Sequence, residues 1–366
     1  MITKKANLAK VLSNVYLTKK EPLSVIHFIT NRCNARCSFC FIDFDDPNTF
    51  KGELNLEEIE KLTKSYGNSL LNVNFTGGEP FARKDIAEIA KLYIQNTTIQ
   101  SIFITTNGSL PDRVESFINE ITKFNSEIEI GIQISMDDFP ENHNKVRKIP
   151  DLFKSCLDTY FRVKNFGLNV TSSASVTVTQ ENCENIENIF NYLFYDCKIE
   201  SIKAILVRDE GIYKTPESER KKIFKAYTWL VDKISEFTES GLIKNHNKES
   251  LQGKLHNAKD RISYDLVKKM YLEPHYISPC HAGSLFGVIT ASGLIYPCEI
   301  LDDKLLGDLR KNDMDFKKIW ESKNSAEAKK FIKKTKCNCT YECALTYNVL
   351  GNWRYQPQLI KSVLKS

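Results

Sequence analysis

The chain has 366 residues, enough for two or three domains and a core of its own. Apolar residues are 42% and charged residues 27%, with a mean hydropathy of −0.35, which excludes extensive disorder. The formal net charge of +5 is spread along the chain and leaves no footprint for nucleic acid; no apolar run reaches the length of a membrane span or follows the N-terminus as in a signal peptide, so a cytoplasmic protein is expected.

After an N-terminal extension over 1–22, residues 24–30 read as a strand that runs straight into Cys33-Asn34-Ala35-Arg36-Cys37-Ser38-Phe39-Cys40. In a reducing compartment clustered cysteines are metal ligands more often than disulfides. Three thiolates within eight residues suit three irons of a cubane, leaving the fourth iron open to a small molecule. Zinc would want a fourth ligand, and the next loop, Phe41-Ile42-Asp43-Phe44-Asp45-Asp46, offers only hard carboxylates. The ferredoxin run C-x2-C-x2-C-x3-C-P is absent. On the residues alone a cluster, a zinc ion and no metal all stay open.

Further strands are expected at 71–76, 101–106, 129–135, 169–179 and 201–207, alternating with helices at 56–70, 86–94, 114–124, 152–166 and 186–194. Such alternation means parallel strands joined by right-handed crossovers, in an open sheet or a full or partial barrel, with the site at the C-terminal strand ends. Those ends carry Thr76-Gly77-Gly78-Glu79-Pro80, Thr105-Thr106-Asn107-Gly108 and Ile134-Ser135-Met136-Asp137-Asp138. Each alone reads as a turn or a cap; together they suit a polar cofactor. Cys156, Cys183 and Cys197 read as small buried apolar residues.

Residues 211–277 form a charged bridge with helices at 217–237 and 251–271, walling a substrate cavity. A cysteine-rich domain over 278–350 follows: Cys280, a hairpin of 286–290 and 294–297 turning at Gly293, Cys298, a helix over 315–334 with a solvated basic face, then Cys337, Cys339 and Cys343. The hairpin returns Cys298 beside Cys280. Residues 351–366 read as a short tail, with Trp353 and Tyr355 packed back on the domain.

Cys33, Cys37 and Cys40 followed by Gly77-Gly78-Glu79-Pro80 make the stretch 24–207 resemble the radical S-adenosylmethionine superfamily. The resemblance implies an α/β fold, a partial (β/α)6 TIM-like barrel over 23–210. It implies a [4Fe–4S] cluster on Cys33, Cys37 and Cys40 whose open iron is chelated by S-adenosylmethionine. Reductive cleavage then gives methionine and a 5′-deoxyadenosyl radical that takes a substrate hydrogen. By the same resemblance Gly77, Gly78 and Glu79 receive the methionine amino group and Pro80 shapes the turn. Phe39 packs near the adenine, while Thr106, Asn107, Ser135 and Asp137 contact ribose or carboxylate. Arg147 pairs with the cofactor carboxylate. The plain alternatives are strand packing for Thr106, a surface helix position for Arg147 and core filling for Val178 and Val207, which otherwise line the adenine.

Cys280, Gly293 and Cys298 resemble the opening of SPASM and twitch domains, whereas Cys337-x-Cys339-x3-Cys343 departs from the longer SPASM series. This implies a small, shortened α+β domain with one auxiliary [4Fe–4S] cluster, against zinc or a partly open cluster that binds substrate. Five thiols exceed the four such a cluster takes, so one of Cys337, Cys339 and Cys343 is spare. Glu299 matches a general base of relatives that oxidise peptide or alcohol groups, against a solvent-facing hairpin position; Tyr296, His281 and Asp302 are lesser candidates.

The expected activity is dehydrogenation or epimerisation of a sugar, aminocyclitol or other small metabolite. The auxiliary cluster would serve as electron conduit and a flavodoxin- or ferredoxin-type protein as donor. With about 22 residues before the first strand, no peptide-recognition domain is expected, which weighs against a peptide-modifying maturase forming thioether or carbon–carbon crosslinks. A noncatalytic iron–sulfur or zinc scaffold is the rival from another class and predicts no cofactor cleavage.

Overall fold

The computed structural model describes residues 5–365 apart from 168, 210–212 and 247–249; the expected junction between barrel and bridge at 210–211 lies outside the described residues. The elements, in order, are α1 (Leu8–Ser13), β1 (Ser24–Thr30), α2 (Leu56–Lys64), β2 (Asn72–Gly77), α3 (Ile86–Asn96), β3 (Ser101–Thr106), α4 (Pro111–Phe124), β4 (Glu129–Ser135), α5 (Pro140–Arg147), α6 (Leu152–Lys164), β5 (Val170–Val178), α7 (Ile186–Asn191) and β6 (Ile202–Leu206). Then come α8 (Glu217–Ser240), α9 (Leu251–Tyr271), β7 (Phe286–Ile289), β8 (Leu294–Tyr296), β9 (Gly307–Asp308), α10 (Phe316–Trp320), α11 (Lys323–Lys334), α12 (Glu342–Gly351) and α13 (Gln356–Lys365).

Strands β1 to β6 are parallel neighbours in sequence order, the arrangement right-handed crossovers produce. Alternate strand residues such as Val73, Phe75, Ile102, Ile104, Ile130 and Ile132 are fully buried under the outer helices, whose apolar faces supply Ile59, Leu62, Ile89, Tyr93, Phe117 and Ile118. The open barrel-like core therefore follows from its alternation of strand and helix periods.

On its other side β1 pairs in parallel with β7, and β8 and β9 continue the same sheet antiparallel. Backbone hydrogen bonding thus runs from the barrel into the cysteine-rich domain expected from 278. At the opposite edge β6 is capped by side chains: Asn245 Nδ2 donates to Ile202 O (3.1 Å) and Leu206 N donates to Glu342 Oε1 (3.1 Å). Helix α9 packs against α12 and α13.

Some expected elements change. Helix α2, opened by an Asn55–Glu58 capping box, stops at Lys64 rather than 70; Ser65 N and Oγ turn back to Leu62 O ahead of Gly67. The helix expected over 315–334 is two, because Ser322 Oγ accepts from Ser325 N and starts α11 afresh. The tail contains α13, anchored by Leu359; Tyr355 is buried, but Trp353 is 65% exposed, its ring tilted against that of Tyr16 with centroids 4.5 Å apart. Cys156 and Cys183 are buried as expected, while Cys197 is half-buried.

Candidate functional site

The first thiol loop leaves the C-terminal end of β1. Thr30 Oγ1 donates to Glu53 Oε1 (2.6 Å) and accepts from Arg32 N (3.0 Å), fixing the exit of the strand. Farther on, Arg36 N and Ser38 N donate to the carbonyls of Arg147 and Val146 at the end of α5 (3.1 and 3.3 Å). The cysteine loop is thereby pinned between β1 and α5, with its three thiols free of disulfides and half-buried.

Gly77 and Gly78 lie directly against this loop. Gly78 N donates to Thr30 O (2.9 Å) and Glu79 N to Arg32 O (2.8 Å). A Cβ on Gly77 would stand 1.9 Å from Thr30 O, and Gly77 has φ +138°, where side-chain-bearing residues are strained. Gly77→Ala is therefore expected to lower stability by about 3 kcal/mol or more and to prevent iron loading at the loop. Chemical denaturation and iron analysis check this, and normal values in both would remove the close-approach argument.

Glu79 is fully buried and spent on its neighbours. Oε1 accepts from Thr106 Oγ1 (2.7 Å) and Phe81 N (3.1 Å), and Oε2 from Asn107 N (2.7 Å). Burial raises its pKa above the usual carboxylate range, against the pull of the three donors. Its carboxylate therefore locks the ends of β2 and β3 together, and Thr106 does more than fill the strand. Asn107 Nδ2 donates to Asn34 Oδ1 (2.8 Å) and reaches Cys33 Sγ (3.9 Å).

Arg147 is buried, which overturns the surface alternative. Its Nε and Nη2 hold Asp137 Oδ2 (2.8 and 2.6 Å), and Nη1 donates to Cys37 Sγ (3.8 Å). The guanidinium lies 5.6 Å from the centroid of the Phe39 ring. Asp137 Oδ1 also accepts from Thr177 N (2.9 Å). Beside this pair His143, held down at a pKa of about 4 by burial and by Arg147, stays neutral; its Nδ1 accepts from Asp137 N (3.2 Å). Ser135 is buried at the end of β4, its carbonyl within 3.6 Å of Cys156 Sγ. Pro80 is buried in the turn after Glu79, and Val178 and Val207 are buried in the main core. Burial raises the pKa of Cys33 to about 11 and pushes Cys37 and Cys40 up as well, so these thiols lose their protons only to a partner that compensates for the charge.

The second group converges. Cys280, Cys298, Cys337, Cys339 and Cys343 line one pocket with Ile26, Phe286, Glu299, Ile300 and Tyr341. The returning hairpin β7–β8 and the start of α12 bring them together. A hydrogen bond from Cys337 favours a thiolate at Cys280, at a pKa of about 7, while burial pushes Cys298 up to about 12 and Cys339 and Cys343 up as well.

Among the described residues no group of three or more His, Cys, Asp or Glu side chains is arranged to hold a metal ion. The donor chemistry does fit iron–sulfur clusters: soft thiols line both places, free of disulfides.

Glu299 is not solvent-facing: its side chain is 13% exposed, Oε2 is ion-paired to Arg208, and the same oxygen lies 4.0 Å from Cys343 Sγ. Arg208 stands just past β6, 4.3 Å from the Tyr341 ring centroid and 5.9 Å from that of Phe41, the residue after Cys40. Phe41 and Cys343 share an apolar cluster with Ile26, Phe28, Val288 and Tyr296. The two thiol sites are thus neighbours across the mouth of the barrel. Sequence reasoning missed Arg208; its place one step beyond a C-terminal strand end was the available signal. Of the lesser candidates, His281 is buried with Nε2 unpaired, Tyr296 is half-buried and Asp302 is exposed.

Residues 28–193 match the family model of the radical SAM superfamily, and residues 280–344 match that of SPASM, an iron–sulfur cluster-binding domain. The chain is a member of the radical SAM superfamily with a C-terminal SPASM domain. It is 30% identical over 178 residues to Fe-coproporphyrin III synthase of Methanosarcina barkeri, a match covering 48% of this chain and 41% of that protein. Over 83 residues it is 40% identical to GTP 3′,8-cyclase of Cronobacter sakazakii, 22% of this chain and 25% of that one. Among solved structures, anSMEcpe with bound AdoMet and a Cp18Cys peptide has the same fold, with TM-score 0.61, 21% identity and coverage of 94% and 99% of the two chains. SuiB of Streptococcus suis bound to S-adenosylmethionine aligns with TM-score 0.55 and 15% identity, over 87% of this chain and 70% of that one.

Proposed function

We propose that this protein binds S-adenosylmethionine beside Cys33, Cys37 and Cys40 and uses it to take a hydrogen atom from a peptide side chain. It would work in the cytoplasm with a flavodoxin- or ferredoxin-type electron donor. The observation that carries this reading is the juxtaposition of the two thiol sites, Phe41 after Cys40 sharing an apolar cluster with Cys343, and Glu299 lining the second site beside Cys343. When bound, the first cluster supplies the electron that splits the sulfonium and yields the hydrogen-abstracting radical. Around it the chain binds and orients: Gly77 and Gly78 offer close backbone approach, Glu79 fixes the turn, and Phe39, Thr106, Asn107, Ser135 and Asp137 line the approach to the cofactor. Arg147 sets a positive charge beside Cys37. Four of Cys280, Cys298, Cys337, Cys339 and Cys343 would hold an auxiliary cluster.

A peptide is preferred to the sugar or aminocyclitol expected from the sequence because anSMEcpe and SuiB, described with bound peptides, share the fold over most of this chain. Glu299 would accept the substrate proton at Oε1, since Oε2 is held by Arg208. The test uses anaerobically reconstituted protein with dithionite, S-adenosylmethionine and side-chain-deuterated peptides, or deuterated sugars and aminocyclitols. Deuterium in 5′-deoxyadenosine from peptides alone is expected; transfer from the sugars alone would return the small-metabolite reading. Glu299→Gln is expected to keep iron content and 5′-deoxyadenosine formation while product falls at least 100-fold. An unchanged product yield, read by mass spectrometry, would end the general-base assignment.

A further inference from the structure

The two thiol sites share a construction the sequence does not announce. At the first, Arg147 is paired with Asp137, lies over Phe39 and donates to Cys37 Sγ. At the second, Arg208 is paired with Glu299 and lies over Tyr341, and its carboxylate partner touches Cys343 Sγ. Each site thus has one arginine, one carboxylate and one aromatic ring against a cysteine. Adhesion between the domains does not call for Arg208, because a partly buried ion pair gives little net stability over apolar groups of similar size, and Phe41, Tyr341 and Ile300 already lie beside it or its partner. A fixed cation beside a thiolate-ligated centre has a different effect. Reduction adds a negative charge, which the cation stabilises, and net charge near the sulfurs is among the terms that set such potentials.

We propose that Arg208 is the charge that sets the reduction potential of the iron–sulfur group held by the second thiol site, with Glu299 as its opposing partner. Arg208 acts here as a positioning residue, and the inference rests on the auxiliary-cluster reading above. The step is a one-electron reduction of the cluster by an external donor, dithionite in the test, with no bond made or broken in the protein.

The test uses the full chain carrying Cys33→Ala, Cys37→Ala and Cys40→Ala, so that only the second site loads. Iron and sulfide analysis comes first: no cluster there overturns the auxiliary-cluster reading and the inference with it. With a cluster present, its midpoint potential is read by EPR-monitored potentiometry. Arg208→Gln is expected to move it to a more negative value and Glu299→Gln to a more positive one, while Arg208→Lys keeps most of the parent value. Equal potentials in Arg208→Gln and the parent, or shifts of the same sign in Arg208→Gln and Glu299→Gln, would overturn the inference while leaving the cluster in place. Should Arg208→Gln not fold, a negative or absent shift in Glu299→Gln overturns it, and a positive shift with Arg208→Lys near the parent supports it.

Discussion

Replacing Cys33, Cys37 and Cys40 together by alanine is expected to abolish 5′-deoxyadenosine formation and to lower iron from about eight to about four per chain after anaerobic reconstitution. The fold should survive. The three sulfurs make only weak contacts, from Ala35 N to Cys33 (3.3 Å), Asn107 to Cys33 (3.9 Å) and Arg147 to Cys37 (3.8 Å), while the loop is held by backbone bonds to α5 and by Thr30. Stability by urea denaturation should therefore change by no more than about 2 kcal/mol. The remaining iron would belong to the pocket of Cys280, Cys298, Cys337, Cys339 and Cys343, which includes none of these three cysteines. A fall from about four irons to none would mean that the second pocket carries no cluster. Persistent cofactor cleavage would remove the first site from the mechanism.

Glu79→Ala should be the most damaging single change away from the thiols. It strips partners from two buried backbone N–H groups, of Phe81 and Asn107, and from the Thr106 hydroxyl. At about 1–3 kcal/mol for each of the three groups left unpaired, a loss of about 3–9 kcal/mol is expected. The ends of β2 and β3 would no longer be tied, so S-adenosylmethionine affinity should fall more than 10-fold even in chains that remain folded. Thr106→Val removes one of the three bonds and also the acceptor of Gly108 N (3.1 Å), and should cost about 2–3 kcal/mol. Urea denaturation and equilibrium dialysis with labelled cofactor check both. A Glu79→Ala protein as stable as the parent would show that water replaces the carboxylate.

The residues that sequence reasoning found are those whose chemistry is local. Three cysteines in eight residues, two glycines after a strand and strict strand–helix alternation all fix structure within a few neighbours, and β1 to β6 lie where the alternation puts them. What escaped depends on partners far along the chain. Nothing near Arg208 announces an ion pair with Glu299, 91 residues later, and Glu342 meets Leu206 N across 136 residues. The two-helix break at Ser322 escaped for a different reason: a serine cap inside a strong apolar period reads as one more polar position.

The pairing of β1 with β7 also sets a timetable. Ser24 meets Phe286 in that ladder, a separation of about 260 residues, so one flank of β1 has no partner until late in synthesis. At roughly 5–20 residues per second, the ribosome leaves that flank bare for about 13–52 seconds after β1 emerges. The loop bearing Cys33, Cys37 and Cys40 begins three residues beyond β1 and shares that interval. Iron delivery to the nascent chain would find the first thiols while the barrel is still open on that side, whereas the second pocket, built from β7, β8 and α12, closes only when the sheet does.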